Sequence, residues 1–302
     1  MAEAGETRCG FVALLGAPNT GKSTLLNRLV GAKLSIVSPK VQTTRSRVLG
    51  IAIAGPAQLI FVDTPGIFAP RRRLDRAMVS AAWRGAADAD LIVLLVDAHL
   101  KTVDEDTKTI VAGLRKAGRK CILALNKIDL VKPERLLELA RALDAEGVFT
   151  DVFMISAATG DGVNDLKAAL AARLPAGPWL FPEDQISDVP MRLLAAEVTR
   201  EKLFLQLHQE LPYALTVETE EWEEFADGSV KIGQVVFVRR DSQKAIVLGA
   251  GGRRIKAVRM AAQADLESML ERRVHLFLYV KVREGWPEDR ERYRALGLDY
   301  DV

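Results

Sequence analysis

Residues 16 to 23 read GAPNTGKS, a glycine-framed loop that ends in a lysine and a hydroxyl, set between the apolar run FVALL and a helix-like stretch. No other feature restricts the fold as much. A loop that leaves a strand, curls on glycines and enters a helix turns successive backbone N–H groups and the helix N-terminus toward one point, and that point receives phosphate. Gly16, Ala17, Pro18, Asn19, Thr20, Gly21, Lys22, Ser23 and Thr24 are therefore the expected phosphate-binding residues. Lys22 brings a positive charge to the β and γ groups, and the Ser23 hydroxyl suits Mg2+. A chance turn would need only the glycines, not the lysine, the hydroxyl and the flanking pattern together.

The surroundings agree with such a loop. From Gly10 to about Leu174, the short runs FVALLG, LIFVD, LIVLLVDA, CILALN and DVFMIS alternate with helix-like stretches. That is the rhythm of βαβ units around a mostly parallel sheet with helices on both faces, an α/β fold. Pro175, Pro178, Pro182 and Pro190 then end helices and favour extended chain. A first domain over 8–175, a linker over 176–190 and a second domain over 191–302 are expected. The second is α+β: a helix over Leu193–Glu210, strands around Ala214–Val217 and Val235–Val238, further helix, and a closing strand HLFLYVKV. With 302 residues, 49% of them apolar, the chain is long enough for two cores. Its 42 basic and 40 acidic side chains nearly cancel, so binding to nucleic acid or membrane must come from local patches. Cys9 and Cys121 stand beside apolar runs, which fits a reducing compartment and excludes a disulfide framework. The longest strongly apolar stretch, Leu91–Val96, falls far short of the roughly 20 residues of a membrane helix. MAEAGETRCG has no targeting pattern, so a cytoplasmic protein is expected.

A phosphate loop alone does not choose a base. Asn126 to Asp129, NKID, follows the strand-like ILAL and so falls at the carboxyl edge of the sheet, where open α/β folds bind ligands. A carboxylate there accepts both the N1–H and the exocyclic amine of guanine, whereas adenine would leave the charge unpaired, so Asp129 selects GTP and GDP. Lys127 is expected to lay its stem over the base plane and Asn126 to tie the base loop to the phosphate loop. Ser156 and Ala157, again just after a strand, would offer backbone N–H to the guanine oxygen. Asp63 to Gly66, DTPG, follows LIFV: Asp63 is expected to hold Mg2+ through water, and the Gly66 N–H to sense the γ-phosphate. The polar VQTTRSR between them is expected to close over the nucleotide, with Thr44 as the second Mg2+ ligand and Thr43 a close rival. Lys22, Thr44 and Gly66 are thus the expected catalytic residues. Ile67 stands where Ras-like proteins place the glutamine that orients water, so intrinsic hydrolysis is expected to be slow.

The segments GAPNTGKSTLLN, VQTTRSRVLGI, FVDTPGI, LNKIDL and ISA, with FPEDQISD in the linker and VHLFLYVKVREGW near the end, carry a resemblance over almost the whole chain. They resemble the Era family of the TrmE/Era/Septin-type group of translation-associated GTPases. The resemblance implies a ribosome-assembly GTPase with a C-terminal KH domain, acting as a monomer. Its implied partners are the 3′ end of small-subunit ribosomal RNA, the small ribosomal subunit, and a peripheral contact at the inner face of the cell membrane. Phe68 departs from the family, which often has histidine there, so no role of that histidine carries over.

Val247 to Lys256, VLGAGGRRIK, supplies the GxxG of a KH module between two helices, with a helix expected over Ile255–Leu270. Gly249, Ala250, Gly251, Gly252, Arg253, Arg254, Ile255 and Lys256 are the expected RNA-binding residues, gripping about four nucleotides of single strand. Charge argues separately: Arg239, Arg240, Lys244, Arg253, Arg254, Lys256 and Arg259 face only Asp241, whereas Glu218–Asp227 is acidic without a base. The alternative is a GTPase whose second domain uses the same basic stretch to recruit protein or an anionic membrane. Arg71–Arg73 reads as a solvated basic face rather than an arginine finger. His99, His208 and His275 show no metal spacing.

Overall fold

The computed structural model describes residues 6–38, 40, 43–45, 47–208 and 211–302; of the VQTTRSR stretch, Val41, Gln42 and Ser46 lie outside the described residues. Two compact units form: one of Met1–Ser35, Thr44–Asp188 and Leu296–Val302, the other of Ile36–Thr43 and Val189–Ala295.

The first unit runs β1 (Arg8–Leu15), α1 (Lys22–Val30), β2 (Val48–Ala54), β3 (Ala57–Asp63), α2 (Arg73–Asp88), β4 (Leu91–Asp97), α3 (Glu105–Lys116), β5 (Cys121–Asn126), α4 (Pro133–Asp144), β6 (Phe149–Met154) and α5 (Val163–Arg173). The sheet order is β2-β3-β1-β4-β5-β6. All neighbours pair in parallel except β2 with β3. Strands covered on both faces read as unbroken apolar runs, and Leu14, Leu15, Leu94, Leu95 and Leu123 are fully buried. β2 is the strand that the βα rhythm does not show: it folds back antiparallel through Gly55, at φ 57°, so no helix separates it from β3. Helix ends follow side-chain chemistry. Asp104 caps α3 by accepting from the Thr107 N–H at 2.8 Å, and Pro133 opens α4 where a missing N–H costs nothing.

The linker is strapped to the sheet edge. Gln58, fully buried on β3, accepts from the N–H of Leu180 (2.9 Å) and Phe181 (3.1 Å) and donates to the Phe181 carbonyl (2.8 Å). Farther along, the Ile51 N–H donates to Ile186 O at 2.9 Å and Ser187 Oγ to Leu49 O at 2.7 Å. Residues 296–302 pack on α2, with Leu298 buried, Asp299 on Arg84 at 3.3 Å, and Arg73 stacked on the Tyr300 ring at 4.5 Å. Arg73 is thus half-buried rather than part of a solvated face.

The second unit is α6 (Met191–Gln206), β7 (Leu215–Glu224), β8 (Val230–Val238), α7 (Asp241–Leu248), α8 (Arg253–Leu270), β9 (Val274–Val282) and α9 (Arg290–Ala295). Its sheet order is β7-β8-β9, antiparallel then parallel. Helices α6 and α8 bury Val198, Leu203, Phe204, Val258, Ala262 and Leu266. Truncating one large side chain of this set costs about 3–5 kcal/mol. From α6 a polar chain runs onto the sheet: Thr199 Oγ1 donates to Gln234 Oε1 on β8 at 2.6 Å, and Gln234 Nε2 donates to Thr219 Oγ1 on β7 at 3.2 Å. β7 is longer than the apolar signal at Ala214–Val217. Several of its acids are paired, Glu221 with Lys231 on β8 at 3.1 Å, Glu220 with Lys281 on β9 at 3.3 Å and Glu224 with Arg272 in the turn after α8 at 3.0 Å. The acidic run is therefore neutralised in the sheet more than it repels, although each exposed pair adds little stability. Among the described residues no helix is long and apolar enough to cross a membrane.

Candidate functional site

The phosphate loop joins β1 to α1. Gly21 sits at φ 97°, and a Cβ there would come within 2.3 Å of Asn126 Nδ2; at Gly16 it would lie 2.6 Å from Leu95 O. Only glycine fits either place. Because Gly21 caps α1 without a side chain, the first-turn N–H groups that begin at Lys22, Ser23 and Thr24 keep no side-chain acceptor and suit an anion. Thr20 Oγ1 holds the turn by donating to Ala17 O at 3.0 Å. Lys22 is buried, its ammonium donating to Gly16 O (3.0 Å) and Ala17 O (2.8 Å). Burial pulls its pKa down to about 8 against the opposing charge of Asp63.

Three hydroxyl and carboxyl groups converge beside that lysine. Ser23 Oγ donates to Asp63 Oδ2 at 2.8 Å and lies 2.8 Å from Thr44 Oγ1. Thr43 turns elsewhere: its hydroxyl donates to Lys40 O at 2.7 Å and meets Ser38 Oγ at 2.7 Å. Burial raises the Asp63 pKa, while the Ser23 hydrogen bond and the Lys22 charge oppose the rise. Asp63 Oδ1 is buried and completes no hydrogen bond among the described residues. An all-oxygen set with one uncompensated carboxylate oxygen fits a small hard cation such as Mg2+. Ser23, Thr44 and Asp63 would hold it.

Gly66 lies against the loop, where a Cβ would sit 3.0 Å from Pro18 Cα, and the Ile67 N–H donates to Gly16 O at 3.2 Å. The Ile67 side chain points the other way and is buried in the core with Leu15, Ala82 and Leu94. Ile67→Ala is therefore expected to cost about 2–4 kcal/mol of stability as a core truncation. Single-turnover hydrolysis per folded molecule should stay within about tenfold, because no water-orienting group is lost. A drop of several orders at unchanged stability would return this side chain to the chemistry.

At the base end, Asn126 closes β5 with both amide atoms in use: Nδ2 donates to Thr20 O at 2.8 Å, and Oδ1 accepts the Ala157 N–H at 2.9 Å. This tie brings the phosphate loop, NKID and Ser156–Ala157 together. Lys127, at φ 68°, extends its ammonium to Asp97 Oδ2 at 2.5 Å, and Asp129 follows it exposed. The backbone N–H groups of Ser156 and Ala157 are already engaged, by Asp161 O at 2.9 Å and by Asn126. For this pair to read the guanine oxygen, one of these two bonds has to be exchanged for it. Sequence reasoning missed Asp97 and Arg28, whose Nε donates to Ala157 O at 3.3 Å. The position of Asp97 at the carboxyl end of an apolar run was the available signal; Arg28 left none.

In the second unit, Gly249 (φ 71°) ends α7, and a Cβ there would lie 2.8 Å from Arg254 Cβ. Gly251 and Gly252, at φ 59° and 74°, face open space. The loop enters α8 with no side-chain cap. Ala250, Arg253 and Lys256 are exposed, whereas Ile255 is half-buried against the core. Arg254 turns its guanidinium back to the Ile246 carbonyl and so braces α7 against α8.

The profile of the family described as 50S ribosome-binding GTPase matches residues 11–127, and that of the KH domain matches residues 210–287. The GTPase Era of Sinorhizobium medicae is 62% identical over 97% of this chain and 94% of its own length. That of Brucella suis is 58% identical over 99% and 96%. An Era variant of Aquifex aeolicus crystallised with GDP and aluminium fluoride is 37% identical, with a TM-score of 0.90 over 98% of this chain and all of that one. An Era structure with MgGDPNP and nucleotides 1506–1542 of 16S ribosomal RNA gives 38% and 0.90 over the same shares. With phosphate loop, NKID tetrapeptide and GxxG loop each in place, the chain belongs to the Era family of GTPases.

Proposed function

We propose that this protein is a Mg2+-dependent GTP switch whose KH domain binds the single-stranded 3′ end of small-subunit ribosomal RNA, and that it acts in maturation of the small ribosomal subunit in the cytoplasm. The observation that carries the reading is the meeting of Ser23, Thr44 and Asp63 beside a buried Lys22. Asp129 reads guanine, and Asn126 sets the base loop at a fixed distance from the phosphates. When triphosphate enters, Lys22 exchanges the carbonyls of Gly16 and Ala17 for phosphate oxygens, and the Gly66 N–H meets the γ-phosphate. Mg2+, when bound, neutralises charge on the β and γ oxygens. Ile67, buried in the core where Ras-like proteins place a glutamine, does not orient the attacking water, and turnover is slow. In the KH domain, the open Gly251–Gly252 turn lets a sugar-phosphate approach the backbone N–H groups, and Arg253 and Lys256 add charge.

Titration of a short rRNA 3′-end oligonucleotide against a scrambled one and against phosphatidylglycerol vesicles, over a salt series, tests this. The first should bind most tightly, with affinity falling as salt rises by about 0.7 log units per log unit for each phosphate contacted. Equal binding of all three would assign the basic stretch to anionic surfaces in general, membranes included, and overturn the RNA half. GTP turnover that persists unchanged in excess chelator would overturn the metal half.

A further inference from the structure

Arg28 projects from the last turn of α1, the helix that the phosphate loop opens. Its guanidinium donates from Nε to Ala157 O at 3.3 Å and from Nη2 to Ala158 O, across about 130 residues of sequence. It also lies along the backbone of Gly160, where a Cβ would stand 3.7 Å from Nη1. The loop it touches is already closed on itself: the Gly160 N–H donates to Ser156 O at 2.8 Å, the Ser156 N–H to Asp161 O at 2.9 Å, and the Thr159 N–H to Ser156 Oγ at 3.1 Å. A loop so braced moves as a block, and two ties fix that block to the phosphate loop and its helix. One is Asn126, bridging Thr20 O and the Ala157 N–H. The other is Arg28.

We infer that Arg28 is a positioning residue for guanine recognition, setting where the Ser156–Ala157 loop stands relative to the phosphates without touching the nucleotide. The inference rests on the reading of that loop as the reader of the guanine oxygen. A charged donor to two carbonyls is stronger than a neutral one, and two contact points fix the block's rotation where Asn126 alone fixes one point. Basic residues also favour helix C-termini, so a purely structural Arg28 would stabilise α1 through its dipole and do nothing to base choice.

The two roles separate by nucleotide. Affinities for GDP, for inosine diphosphate, which keeps the 6-oxygen but lacks the amine that Asp129 reads, and for 2-aminopurine riboside diphosphate, which lacks both the 6-oxygen and the N1–H, are measured by calorimetry in parent, Arg28→Ala and Arg28→Lys. The Asp129 contribution is common to all three proteins and cancels in the comparison of their preferences. In Arg28→Ala, GDP and inosine diphosphate should both weaken by about three- to tenfold. Their ratio should hold, while the preference over the 2-aminopurine nucleotide shrinks by the same factor. Arg28→Lys, with one point charge, should fall between. Unchanged affinities, or an equal loss for all three nucleotides, would overturn the positioning role. If the parent itself does not distinguish GDP from the 2-aminopurine nucleotide, the loop does not read the 6-oxygen, and the reading beneath the inference fails first.

Discussion

Asp129→Asn should lower GTP affinity by about a hundredfold or more and raise affinity for xanthosine triphosphate, as a site built to pair a substrate's N–H groups rejects a partner that cannot answer it. The amide donates where the carboxylate accepted, which suits the 2-oxygen of xanthine and opposes the guanine amine. The structure makes the experiment clean. Asp129 is exposed beyond the end of β5, so its exchange leaves the packing of the sheet alone. Lys127 stays in place through Asp97, and Asn126 through Thr20 and Ala157. Direct titration with both nucleotides checks it. An unchanged preference would remove Asp129 from the base site.

Replacing Ala250 and Gly251 together by aspartate should reduce binding of the rRNA 3′-end oligonucleotide by about a hundredfold, because two carboxylates stand where phosphates pass. Ala250 is exposed and Gly251 opens on empty space, so neither side chain meets a clash. The positive φ of Gly251 costs an aspartate about 1 kcal/mol or more. Negative charge beside the uncapped start of α8 returns a comparable amount. Thermal stability and GTP binding should therefore match the parent while RNA binding collapses. Retained RNA affinity at the same salt would make the loop structural.

What could be read from the chain was whatever is written locally. β1, β3, β4 and β5 are mainly apolar runs because both faces are covered, and the phosphate loop, NKID and DTPG each lie within one short segment following a strand. β2 escaped because Gly50, Ala52 and Ala54 dilute its signal and its partner is antiparallel. The outer half of β7 escaped because glutamates that pair with Lys231 and Arg272 resemble a solvated loop. Contacts between distant segments left no trace at all. Arg28 on Ala157 is one case. Another is the segment Ile36–Thr43, which clusters with α6 through Glu201 accepting the Val37 N–H at 2.8 Å and buried Arg200 donating to Thr43 O. Its polar sequence reads only as a loop.

The strap that Gln58 and β2 impose on the linker changes what kind of connector it is. A free chain of about 15 residues would let its ends wander over roughly 20 Å as a random coil. Here Leu180, Phe181, Ile186 and Ser187 are bonded to the first sheet, so only Asp188 and Val189 separate the anchored strap from Pro190 at the start of α6. Fully extended, Asp188 through Pro190 reach about 10 Å, and Pro190 has a fixed φ. Insertions of glycine and serine upstream of Leu180 would thus add slack before the anchored strap and leave the two-residue stretch after it unchanged.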